Sequence, residues 1–143
     1  MLLSSGGESH VPDFQVVRGQ NTIFVDAVSG ENPHWASWVD EVAAQAGYHR
    51  DVVLDAEIRS GFRLANARDL LRYARWRCPL GDRVRLLGAL DEIGSMTVAE
   101  CMSAFQETSP IAGLSSLILH RFVEIDLDDA RIGPETPVRR RRD

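Results

Sequence analysis

Hydrophobic and polar positions alternate twice near the start of the chain. Residues 13–18 (Asp-Phe-Gln-Val-Val-Arg) and 22–28 (Thr-Ile-Phe-Val-Asp-Ala-Val) are rich in β-branched and aromatic residues, with Gly19-Gln20-Asn21 between them. This predicts a β-hairpin. Ser29 to Pro33 reads as a turn-rich loop. From His34 to Gly47 the spacing changes, and Trp35, Trp38, Val39, Val42, Ala43 and Ala46 recur at helical intervals. Gly47 supplies the stop. Trp35 and Trp38 are expected as core anchors of that helix, and Val52 to Leu54 as a short strand beside it.

The middle of the chain predicts a helix from about Ala65 to Arg77. Leu64, Ala67, Leu71 and Ala74 form its apolar stripe, and Arg68, Arg72 and Arg75 a basic one. Asp69 is placed to partner Arg72 one turn on. Pro79-Leu80-Gly81 marks a break. Beyond it, Val84, Leu86, Leu87, Leu90 and Ile93 form a helical face ended by Gly94. Thr97 and Glu100 have the spacing of a capping box, and Ser109-Pro110 places a cap before a proline at the first helical position. Ile111, Leu114, Leu117 and Ile118 continue as a third helix. Phe122 to Leu127 alternates like a strand, and Pro137 to Arg141 is its expected return. Three helices followed by a hairpin predict a winged helix-turn-helix. The fold class expected is α+β, with a disordered start over residues 1–12, an α/β domain over 13–80 and the winged-helix domain with a basic tail over 81–143.

Composition narrows the chemistry. The 143 residues are 44% hydrophobic and 26% charged, with a net charge of −5. No apolar stretch approaches a membrane span, and the first residues lack the features of a signal peptide, so a cytoplasmic protein is expected. Cys78 and Cys101 form no metal-type spacing and are expected as buried thiols; the four histidines are scattered, with no zinc pattern. All 16 basic residues are arginine, so mechanisms needing a lysine amine are excluded. Seven arginines fall within residues 61–85 and four more in Arg139-Arg140-Arg141-Arg142, whereas the remaining segments are acidic. Such blocks suit one basic strip facing phosphate on an otherwise acidic molecule.

The chain resembles the TnsA-like transposon endonuclease family and its relatives in the PD-(D/E)xK nuclease superfamily. Val11-Pro12-Asp13-Phe14 is similar to the PD strand, and Asp26-Ala27-Val28 falls where the acid-x-lysine motif stands. Ala56-Glu57-Ile58-Arg59 through Leu64-Ala65-Asn66-Ala67-Arg68 to Tyr73 is similar to the segment before the second domain, and the winged-helix tail ending Ile132 to Val138 also fits. The resemblance implies two carboxylates, Asp13 and Asp26, on neighbouring strands and holding Mg²⁺, with a lysine two residues beyond the second acid on the same strand face. That position is Val28 here, and the family's upstream glutamate helix has no counterpart in the twelve residues before Asp13.

These departures lead to a nuclease-like, catalytically inactive DNA-associated accessory protein, of a transposon or other mobile element, with no cofactor unless a Mg²⁺ site survives. Asp13 and Asp26 would then be a vestigial metal pair. Arg68, Arg72, Arg75, Arg121, Arg139, Arg140 and Arg141 are the expected nucleic-acid contacts. The third helix offers Ser115, Ser116, His120 and Arg121 as a thin reading surface. The alternatives are a winged-helix regulator or protein-docking anti-activator, and a metal-dependent endonuclease with an atypical site. Sheet edges left open by a shortened nuclease half would invite a homodimer or protein partner.

Overall fold

The computed structural model describes residues 2–30 and 36–142. The protein is mixed α+β with small sheets, and its contacts divide it into two compact units, Met1–Ser60 and Gly61–Asp143. No helix among the described residues is long and apolar enough to cross a membrane.

The first unit opens on β1 (Leu3–Ser5) and β2 (Glu8–His10), an antiparallel pair turned by Gly6 and Gly7, both left-handed. A disordered start was expected over residues 1–12; instead Leu3 of this hairpin is buried with Phe24, Val39 and Ala43. Next come β3 (Phe14–Arg18), β4 (Asn21–Val28), α1 (Ala36–Gln45), β5 (His49–Leu54) and α2 (Asp55–Arg59). The sheet order is β3-β4-β5. β3 and β4 form the expected hairpin, with Phe14 opposite Val25 and Arg18 opposite Asn21, whereas β4 and β5 are parallel. The parallel pairing is made through the crossover helix α1. Phe24 and Asp26 share the buried face of β4. Phe14, on the opposite face, is 60% exposed. Among the described residues the two outer strands each keep an unpaired edge. The predicted helix start at His34 and the anchor Trp35 lie outside the described residues; Trp38 packs against the core as expected.

The second unit contains α3 (Arg63–Leu71), α4 (Leu80–Ile93), β6 (Ser95–Thr97), α5 (Val98–Cys101) running into a 3₁₀ turn at Met102–Ala104, α6 (Pro110–Leu119), β7 (Val123–Glu124) and β8 (Pro137–Arg140). Leu86, Leu90, Phe105, Leu114, Leu117 and Val138 are central to its core. Gly94 ends α4 at φ 88° and Thr97 and Glu100 complete a reciprocal capping box, as expected; Ser109 stands at the N-cap of α6 before Pro110, but its side chain makes no capping hydrogen bond. The return strand β8 is central, antiparallel to both β6 and β7, and β6 was not expected.

Two expectations are corrected. The division falls after Ser60 rather than after residue 80. Asn66 of α3 is fully buried, donates through Nδ2 to the carbonyls of Leu127 and Ala130, and accepts through Oδ1 from the Ile132 N–H. These bonds fasten the arginine-rich segment to the C-terminal loop. The helix expected to reach Arg77 ends at Leu71, because the chain tightens there: Tyr73 and Ala74 N–H groups reach back three residues, to Leu70 and Leu71.

Candidate functional site

The strand hairpin brings Asp13 and Asp26 together. Asp13 Oδ2 accepts from the Ala27 N–H at 2.9 Å, and the Asp13 N–H reaches Asp26 Oδ1 at 3.3 Å. Asp26 is buried, at 2% exposure. Arg50 of β5 donates through Nε to Asp26 Oδ2 at 2.6 Å and through Nη1 to Asp40 Oδ1 at 2.7 Å. His10 Nε2 lies 3.0 and 3.1 Å from the two Asp26 oxygens. A carboxylate only accepts, so Nε2 carries a proton in these bonds. Burial works against the Arg50 charge and is the strongest single influence on it, yet the bonds to Asp40 and Asp26 outweigh it and hold the guanidinium above its usual range.

This arrangement does not fit a Mg²⁺ ion. Both Asp26 oxygens are already used, the cation facing them is Arg50, and the residue two along the strand is Val28. Among the described residues no group of three or more His, Cys, Asp or Glu side chains is arranged to hold a metal. Asp26, expected with Asp13 as a vestigial metal pair, is here a carboxylate held by an arginine and a histidine. Arg50 and His10 were missed because their meeting with Asp26 depends on parallel strand pairing and on a hairpin that sequence reading left unstructured.

The arginines expected to meet nucleic acid fall into two groups. Arg68 and Arg75 are exposed and make no ion pair among the described residues, but Arg75 lies beyond the end of α3, so the three-arginine helix stripe does not form. Arg72 stands at the helix end, 3.8 Å from Asp69, and Asp69 pairs more closely with Arg131 at 2.6 Å. On β8, Arg140 is paired with Asp91. The Arg141 N–H donates to the Phe122 carbonyl at 3.2 Å. Arg121 is exposed and has a left-handed backbone at φ 63°. Arg139 lines an open cleft of about 690 Å³ together with Glu124, Asp126, Asp129, Arg131 and Glu135. Asp126 there is held below the usual carboxylate range, first by the N–H of Asp128 and then by that of Asp129. Four acids against two arginines make that cleft a poor seat for phosphate.

The third helix does not offer the expected reading surface. Residues 112–117 of α6 are all buried, Ser115 and Ser116 among them. Ser116 Oγ donates to the Trp76 carbonyl at 3.0 Å and accepts from the Cys78 N–H at 3.2 Å, so it holds the 76–78 segment rather than facing solvent. His120 Nδ1 lies 2.7 Å from the Ser116 carbonyl. Only Arg121, of the four residues, is exposed. Cys101 is buried and its thiol is pushed up to about 11 by burial, whereas Cys78 is only half-buried.

Asp82, in the first turn of α4, organises the neighbouring loop. It is fully buried, accepts from the N–H groups of Gln106, Glu107 and Thr108, and is paired with Arg85. Its role is positional, and nothing in the local spacing of the sequence marks it. No protein-family model matches the chain, and no curated protein matches it.

Proposed function

We propose that this chain is a nuclease-like protein that associates with DNA without cutting it, as an accessory in a transposon or other mobile-element complex. The observation that carries the reading is the Arg50 guanidinium on the buried Asp26 carboxylate, where a nuclease of this kind would need a metal. Val28 in place of the catalytic lysine supports it. The basic block of the second unit supports the association with DNA, and the winged-helix reading of that unit implies phosphate contact without base readout, since α6 is buried. No cofactor is needed.

The test is incubation of the purified chain with random duplex DNA over a salt series, with and without Mg²⁺. Binding that weakens with salt, with a log–log slope of roughly −3 to −4 for about four phosphate contacts, and no cleavage, is the expected result. Mg²⁺-dependent cleavage abolished by Asp13→Ala or Asp26→Ala overturns it in favour of an active endonuclease. A second reading, protein docking, is favoured by the open sheet edges and the exposed Phe14 of the first unit. Absence of binding at low salt would select it, and a partner protein or a second copy would then occupy those edges.

A further inference from the structure

The end of α6 is unusual. The Phe122 N–H bonds to the Leu117 carbonyl at 2.9 Å and the Arg121 N–H to the Ile118 carbonyl at 3.0 Å. This is the Schellman arrangement, whose left-handed position is ordinarily glycine. Helix α1 ends on the same two bonds, Tyr48 to Ala43 and Gly47 to Ala44, with Gly47 at φ 79° in that position. In α6 the position is held by Arg121, the one residue other than glycine with positive φ among the described residues. The side chain that the strained turn carries is exposed and makes no ion pair among the described residues.

Around it lies a corner of cations and aromatic surface. The Arg83 guanidinium sits 4.7 Å from the centroid of the Phe122 ring, and Phe122 as a residue is still 36% exposed. The Arg141 N–H donates to the Phe122 carbonyl, which brings the basic tail alongside, and Arg142 follows, exposed. No carboxylate pairs with Arg83, Arg121 or Arg142 among the described residues. The nearest strand acid in sequence, Glu124, stands opposite Arg139, and Asp91 is already paired with Arg140.

We propose that this corner binds single-stranded nucleic acid, with the part of Phe122 that Arg83 leaves exposed as the stacking platform for a base and Arg83, Arg121 and Arg142 meeting the flanking phosphates. The inference rests on the DNA-associated reading above and specifies which form of nucleic acid is held, and where. An aromatic face flanked by unpaired cations is what a sequence-tolerant single-strand site requires. A duplex reader needs exposed polar positions on an inserted helix, and α6 has buried its own. An acidic polypeptide would be drawn by the same charges, but only where it carries an aromatic side chain could it stack on Phe122, whereas every nucleotide brings a base.

The test uses the full chain and three labelled probes of equal length, an oligothymidylate, an oligouridylate and a random duplex, read by fluorescence anisotropy. The expected result is binding of one or both single strands, weakened about tenfold or more by Phe122→Leu and several-fold by Arg83→Gln and by Arg121→Gly, with duplex binding changed less. The stronger oligomer identifies DNA or RNA as the source. Arg121→Gly relieves the backbone, so its loss of binding is not a loss of folding. Duplex binding without single-strand binding, or a Phe122→Leu variant that binds the single strands as the parent does, overturns this inference and leaves the DNA-associated reading standing. Failure to bind any of the three overturns both. Displacement of the single strand by polyglutamate at equal charge concentration would assign the corner to an acidic protein and overturn the inference as well.

Discussion

Replacing Arg121 by glycine separates the cost of the α6 turn from its use. A left-handed backbone costs a residue with a Cβ roughly 1–2 kcal/mol. Glycine removes that strain but loses roughly 0.5–1 kcal/mol more conformational entropy on folding. The Arg121 side chain is exposed and without an ion pair among the described residues, so no contact energy is subtracted. The net expectation is a gain of about 0.5–1 kcal/mol, or a rise of roughly 2–8 °C in the unfolding midpoint of a unit this size. Thermal and urea unfolding followed by circular dichroism measure it directly. The first unit supplies the converse: a Cβ added at Gly47 would meet nothing within 4 Å, so Gly47→Ala should lower stability by about 1 kcal/mol through the backbone alone. An Arg121→Gly variant no more stable than the parent, while Gly47→Ala is destabilised as expected, would show that the arginine makes stabilising contacts, and the strain argument would fail.

Removing one partner of the buried pair in the first unit, Arg50→Leu, is expected to cost about 3–5 kcal/mol, and Asp26→Leu in the same chain to recover much of it, measured by urea unfolding of the single and double variants. Asp82 should govern acid stability of the second unit. Burial opposes its ionisation, but the N–H groups of Gln106 and Glu107 and the Arg85 guanidinium hold its folded pKa below the ordinary value, so the stability it contributes is present above the unfolded pKa near about 4 and is lost as pH falls through the lower folded value. Asp82→Asn should therefore cost about 2–4 kcal/mol at neutral pH and flatten the acid limb of the unfolding curve; an unchanged acid limb would count against this. In Gly113→Ala the new Cβ would meet the Phe105 ring at 2.5 Å and Thr108 Cγ2 at 2.9 Å, and a loss of about 1–3 kcal/mol in the thermal unfolding free energy is expected from overpacking.

What could be read from the sequence was set by how local the cause is. The capping box of Thr97 and Glu100, the Ser109-Pro110 start and the Gly94 stop depend on residues within one turn, and each stands where the spacing put it. The β3–β4 hairpin was equally legible from its alternation, although the turn is Gly19-Gln20 and Asn21 already pairs with Arg18, where three turn residues were expected. Its pairing also brought Asp13 and Asp26 together, as expected. What escaped was non-local. The β1–β2 hairpin is ordered through Leu3, and β6 exists only because β8 is there to pair with it. Apolar periodicity assigned Ser115 and Ser116 to an exposed face, but the 76–78 segment and the core cover them from both sides. The end of α3 was misplaced because alternating arginine and apolar residues continue the helical pattern through Arg77, while the backbone tightens after Leu71.

The absence of lysine bears on both halves of the argument. At Asp26 the useful property of arginine is its fork: Nε takes one carboxylate and Nη1 another, so a single buried cation ties β4 to the Asp40 side chain on α1. A lysine ammonium at that position is a point charge with no planar fork to hold two acids in fixed directions. At the α6 corner the useful property is the flat guanidinium, which lies over Phe122 and leaves ring surface exposed. The two uses pull in opposite directions for chemistry. The first neutralises a carboxylate that a metal would need, so restoring a lysine at Val28 would still leave Asp26 occupied. The second keeps cations unpaired at a surface where phosphate can reach them. Both fit the same arginine-only composition, and both are what the proposed reading, a protein that holds nucleic acid without cutting it, requires.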